Sequence, residues 1–160
     1  MRCLESTLLA FAIALAPRGA VGATTCAASG ASMSLGAYTG DSSAPTDSIG
    51  SFVIRCARDG GPPSVAVTMG IGPSATSGTV ANRQLRQAAG SDLLGYNLYR
   101  DVLRQNVWGQ TVGVDTVART VAIPNKSSVD IPFTIYGRIP GLQSVYSGAY
   151  ADSLLVTFTY

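Results

Sequence analysis

Apolar and polar residues alternate at every second position through most of this chain, and nowhere beyond residue 23 do apolar residues keep a helical spacing over a helix-length stretch. Such a chain must build its core from strands. Over 49–56, Phe52, Ile54 and Cys56 fall on one face and Ser51, Val53 and Arg55 on the other. Val65, Val67 and Met69 alternate with Ala66 and Thr68, after a Gly60-Gly61-Pro62-Pro63 turn. These two runs read as adjacent antiparallel strands. A third run, 92–100, sets Leu94, Tyr96 and Leu98 against Gly95, Asn97 and Tyr99, and 101–109 reads as a polar connection or short strand. Residues 117–123 alternate again, and Pro124-Asn125-Lys126-Ser127-Ser128 turns the chain into 129–136. Pro132 has no N–H to give a ladder, so its strand is an edge there or turns that position outward. The cleanest strand is 151–160, with Leu154, Val156, Phe158 and Tyr160 on one face and Leu155, Thr157 and Thr159 on the other. No strand follows to cover it, so a sandwich ending this way leaves an unpaired edge or a gap for another strand.

Residues 1–23 read as an export signal. Arg2 precedes an apolar run from Leu8 to Ala16, too short to span a bilayer, and Val21-Gly22-Ala23 supplies the small-residue exit. The mature chain is expected to begin at Thr24. Cleavage after Ala16 would place Pro17 first, which signal peptidase tolerates poorly, and a lipoprotein start at Cys26 is disfavoured by Thr24-Thr25. Residues 24–160 make one domain, with no membrane span after signal removal. Of three cysteines, Cys3 leaves with the signal, and in an oxidising compartment Cys26 and Cys56 are expected to pair.

Composition excludes several kinds of chemistry. Histidine is absent and Glu5 lies in the leader, so the mature chain lacks the commonest general base and metal ligand. Its Asp residues stand mostly beside Gly, Ser or Pro, as turn formers do. No catalytic set, metal site or cofactor is expected. A net charge of +2 gives no basic surface for nucleic acid. Trp108, in a polar Asn106-Val107-Trp108-Gly109-Gln110 segment, with Tyr38, Tyr99, Tyr136 and Tyr146 beside turns, is a candidate surface-binding aromatic; the favoured reading is that Trp108 caps one end of the sandwich and the tyrosines close its corners.

Several blocks, in order, resemble the spore coat protein U domain shared with the Csu-type subunits of archaic chaperone-usher pili. They are Cys26, Leu35-Gly36-Ala37-Tyr38, the strand ending in Cys56, Asn82-Arg83-Gln84-Leu85, and the run Leu93-Leu94-Gly95-Tyr96-Asn97-Leu98-Tyr99-Arg100-Asp101. Trp108-Gly109, Tyr136-Gly137-Arg138-Ile139-Pro140 and the final run from Gly148 to Tyr160 complete the set. The resemblance implies an incomplete immunoglobulin-like β-sandwich lacking its final strand, completed by a donor strand. A periplasmic pilus chaperone would lend that strand first, a neighbouring pilus subunit would replace it, and an outer-membrane usher would export the fibre. Leu154, Val156, Phe158 and Tyr160 would line the donor-strand groove and contact the chaperone, and the Cys26–Cys56 disulfide would tie the first strand to the second.

One departure is informative. Polymerising relatives carry an apolar donor segment ahead of the first cysteine, whereas here only Thr24 and Thr25 stand between the expected cleavage and Cys26. The reading that follows is a secreted structural subunit of a surface fibre, at its tip or cap, exported through the periplasm and supporting attachment or biofilm formation. A self-contained spore- or cell-coat protein comes second and a carbohydrate-binding module third; an enzyme is not expected.

Overall fold

A computed structural model describes residues 22–28 and 32–160, so the leader, Gly22 and Ala23 excepted, lies outside the described residues. Among those described there are nine strands: β1 (Thr24–Ala28), β2 (Thr46–Arg58), β3 (Ser64–Ser74), β4 (Arg83–Gln87), β5 (Leu93–Tyr99), β6 (Val117–Ala122), β7 (Ser127–Ile139), β8 (Tyr150–Ala151) and β9 (Leu154–Thr159). They form a six-stranded sheet in the order β1-β2-β7-β5-β4-β8 and a three-stranded sheet in the order β6-β3-β9. Every pairing is antiparallel.

The core lies between the sheets. Phe52, Ile54 and Cys56 of β2, Ile131, Phe133 and Ile135 of β7, and Leu94, Tyr96 and Leu98 of β5 face Val65, Val67, Met69 and Ile71 of β3, and all are buried. The period-two reading of these strands therefore placed the correct faces inward. It misplaced one partnership: β2 and β3 are not neighbours but lie in opposite sheets. Gly60 and Gly61, both at positive φ, carry the chain across instead of folding it back as a hairpin. Arg58 fixes this crossing through its Nη2 to the Gly61 carbonyl (2.7 Å) and its Nη1 to the Ile123 carbonyl (3.1 Å). The two apolar faces then meet across the core.

Pro132 sits in β7 opposite Val53 of β2, while β5 reaches β7 only at Tyr136 to Arg138. Beside Pro132, β7 thus has a strand on one side only, and the missing N–H leaves no ladder bond broken. The final run also divides. Residues 150–151 pair with β4 at the edge of the larger sheet, whereas 154–159 pair with β3 in the smaller one. Asp152 and Ser153 make the transfer.

At the opposite edge β1 pairs with β2 along its whole length, with Cys26 directly across from Cys56, and the two are joined by a disulfide. Just upstream, the Asp59 N–H donates to the Ala23 carbonyl (3.1 Å), and a Cβ on Gly22 would collide with the Asp59 carbonyl. The disulfide spans 30 positions and holds an edge strand that, among the described residues, has no partner on its outer side. Replacing both cysteines with alanine is expected to cost about 2–5 kcal/mol of stability, read by chemical denaturation of both proteins under oxidising conditions. A loss below about 1 kcal/mol would mean that β1 is held by its ladder alone.

Candidate functional site

The smaller sheet leaves part of the larger one uncovered, and an apolar groove of about 920 Å³ opens there. Its floor is Phe52, Leu94, Tyr96, Leu98, Ile135 and Ile139 of the larger sheet, with Ile71 of β3 beside them. Leu154 and Val156, at the start of β9, form one wall together with residues 145–152. The other wall is residues 32–40, which cross the inner face of the larger sheet without joining either sheet.

Two glycines make room for that second wall. A Cβ on Gly50 would meet the Met33 side chain at 2.9 Å, and one on Gly137 would meet Leu35 Cδ2 at 2.5 Å. Met33 and Leu35 thus fill space that side chains on β2 and β7 would otherwise occupy. The walls are also braced by hydrogen bonds. The Gln143 N–H donates to the Tyr38 hydroxyl (2.6 Å), while the Gln143 side-chain amide bonds both the N–H (2.8 Å) and the carbonyl (2.9 Å) of Gly95. Farther along, the Tyr146 N–H donates to Asp92 (2.7 Å) and the Tyr150 hydroxyl to the Tyr146 carbonyl (2.7 Å).

Backbone valence is incomplete on both sides of the groove. Among the described residues, β9 pairs with β3 and with no strand on its other edge. Residues 32–37 make no backbone ladder at all among the described residues. Peptide groups that lack partners at an edge are a template for another strand. An extended segment laid between the walls would find hydrogen-bonding groups on one or both sides and an apolar floor for alternate side chains.

Beneath this site lies a polar cluster that the sequence reading missed. The β3–β9 ladder is irregular between Ile71 and Ser74, and such a break frees carbonyls from the ladder. Arg83, fully buried, collects them: its Nη2 donates to the carbonyls of Ile71 (2.9 Å), Gly72 (2.8 Å) and Trp108 (2.8 Å), and its Nη1 to Asn97 Oδ1 (2.7 Å). The Asn97 amide in turn donates to the carbonyls of Ala81 (2.7 Å) and Val80 (3.2 Å). Burial lowers the Arg83 pKa, and the negative charges of Asp152 and Asp115 oppose the shift. Alternation had put Asn97 on an outward face, but the turn before β4 covers it, leaving it buried. The available signal was slight: Asn97 stands inside a mostly apolar run, but Arg83 stands in a polar one.

Of the four expected groove residues, Leu154 and Val156 line the groove. Phe158 packs against the core beyond its end, opposite Met69, and Tyr160 stacks on Phe158 with a 6.1 Å centroid separation and is itself 57% exposed. Trp108 requires a correction. Far from offering a surface, it is completely buried, with its indole N–H donating to the Met69 carbonyl (3.1 Å) and its ring tilted against Phe133. It packs inside the core against β3 and β7, which the capping reading describes better than a surface one.

Comparison with known proteins places this geometry. Residues 11–157 match the sequence model of the Spore Coat Protein U domain. Protein U of Myxococcus xanthus is 34% identical over 100 residues, a match covering 61% of this chain and 52% of Protein U, so the chain aligns with about half that protein's length. Among solved structures, a chain of the CsuC-CsuE chaperone-tip adhesion subunit pre-assembly complex, from the archaic chaperone-usher Csu pili of Acinetobacter baumannii, matches with a TM-score of 0.51 at 13% identity. That alignment covers 88% of this chain and 40% of the other. It shows a shared fold: an antiparallel, immunoglobulin-like β-sandwich.

The buried guanidinium yields a test. Arg83→Met leaves several carbonyls buried without donors and is expected to cost about 3 kcal/mol or more. Arg83→Lys keeps the charge but not the planar fork, and should recover less than half of that loss. Denaturant titration of the three proteins measures both. Full recovery by lysine would show that charge, not the forked geometry, is what the cluster requires.

Proposed function

We propose that this chain, which belongs to the Spore Coat Protein U domain family, is an exported structural subunit of a bacterial surface fibre whose sandwich is completed by a strand from another chain. The observation that carries the proposal is the groove between β9 and residues 32–40, apolar on its floor and short of backbone partners along its walls. Strand addition satisfies both at once, because main-chain bonds give affinity and pockets for alternate side chains give specificity. The solved relative is a chaperone–subunit complex, which supports a periplasmic chaperone as first occupant and a neighbouring subunit as second. An outer-membrane usher and a final place at the cell surface complete the reading.

A terminal position in the fibre, tip or cap, is part of the same proposal. Thr24 and Thr25 already belong to β1, paired with Arg58 and Ala57. If cleavage falls after Ala23, no residue remains free to serve as a donor for a neighbour. The Asp59–Ala23 bond is lost in that event, but all five β1 pairs survive.

A self-contained coat protein is the competing reading, and it differs in one consequence: such a protein is stable by itself. The carbohydrate-binding alternative loses its main candidate residue with the burial of Trp108.

Two predictions separate these readings. An apolar-alternating peptide held at a hundred times its dissociation constant should add about 2.7 kcal/mol to the stability of the exported protein. Val156→Asp, in the groove wall, should abolish that gain, whereas Leu155→Asp, at an outward position 69% exposed, should leave it intact. A purified chain that is a stable monomer and gains nothing from any such peptide is a coat protein of the second kind. The second prediction concerns the N-terminus: mass spectrometry of the exported protein should find Thr24 first. A start well before Val21 would remove the basis for a terminal position.

A further inference from the structure

The groove carries one charge. Among its lining residues Asp152 alone has a charged side chain; the rest are apolar, small, hydroxyl-bearing or tyrosine. Its carboxylate is held in place. Oδ2 accepts from the Tyr96 hydroxyl (2.7 Å), and Oδ1 accepts from the Ser153 N–H (2.9 Å) and, at 3.4 Å, from the Thr76 hydroxyl. Tyr96 is 6% exposed; burial first, and then the bond to Asp152, raise its pKa, so the phenol stays a donor. The nearest buried cation, Arg83, spends its bonds on carbonyls and Asn97, and none of the ion pairs among the described residues includes Asp152.

Position gives this carboxylate its meaning. Asp152 is where the chain leaves β4 and crosses to β3, so the free edge offered by β9 ends beside it. A strand added to that edge runs over apolar floor for most of its length and meets a fixed negative charge at one end. Enclosing Asp152 under an apolar residue would strip water from a carboxylate without an ion-pair partner, which is costly; a basic side chain would neutralise it.

Resting on the strand-accepting reading above, we propose that Asp152 selects the incoming strand: its partner is an apolar-alternating segment carrying a lysine or arginine at the end that reaches Asp152. The carboxylate fixes which way the strand enters and where it stops, while the apolar floor supplies affinity without register.

The test uses the full exported chain and a set of end-capped, apolar-alternating peptides in which each position in turn is Lys, Leu or Glu. Affinity is measured by calorimetry at low and high salt. A single position near one peptide end should prefer Lys over Glu by about tenfold or more, with the Lys peptide alone weakening as salt rises. In Asp152→Asn the preference at that position should fall to within about twofold, with the all-apolar peptide binding at least as well as before. If that variant does not fold, the salt dependence and positional preference of the natural chain decide the matter. Tight binding of apolar peptides with no Lys preference at any end position overturns the role of Asp152 and leaves strand addition standing. Absence of binding by every peptide overturns both.

Discussion

A three-stranded sheet here has to cover the inner face of a six-stranded one. With strands about 4.8 Å apart, the larger sheet is some 24 Å across and the smaller about 10 Å, so the smaller cannot cover it alone. Most of the molecule's particular features answer that mismatch. On one side Trp108 enters the core as a large apolar block with its single polar atom satisfied. On the other, residues 32–40 lie over Gly50 and Gly137, and beyond them the groove remains open.

The same mismatch explains the buried arginine. β3 must serve as the centre of the smaller sheet, pairing with β6 and β9. Its ladder breaks between Ile71 and Ser74, and the carbonyls released there would be left inside the protein without donors. A guanidinium offers five donors in a plane, enough to take several carbonyls at once. Arg83 comes from β4 in the larger sheet, so the bond set that satisfies β3 also fastens the two sheets together near the groove. Asp152 and Tyr96 lie at the same end, and the polar part of the interior is concentrated where the final run changes sheets.

Much of this was legible in the sequence because burial in a strand leaves a period of two. Phe52, Ile54 and Cys56, then Val65, Val67 and Met69, then Leu94, Tyr96 and Leu98 all announce their inner face. Which strand lies beside which is not written in that period; β2 and β3 look like a hairpin until the crossing at Gly60 and Gly61 is seen. β4 is short and mostly polar, so alternation did not mark it. Trp108 looked exposed because its sequence neighbours are polar, although burial is decided by what packs across the fold. Asn97 fails the same way, since a polar residue in a strand is read as outward unless its partners are known, and Arg83 had no face assigned because β4 went unmarked. The leader, central to the reading of export, lies outside the described residues.

The account stands on both walls of the groove receiving one strand together. Amide hydrogen exchange, resolved to single residues along β9 and residues 32–39 and compared with and without a bound strand, measures this directly. Unoccupied, the groove-facing amides of both segments should exchange much faster than those of β2 and β7 in the centre of the larger sheet; occupied, alternate amides on β9 and on 32–39 should become protected in parallel. Amides on β9 that are already slow in the free protein, or protection that appears on one wall alone or on neither when the strand binds, would contradict it.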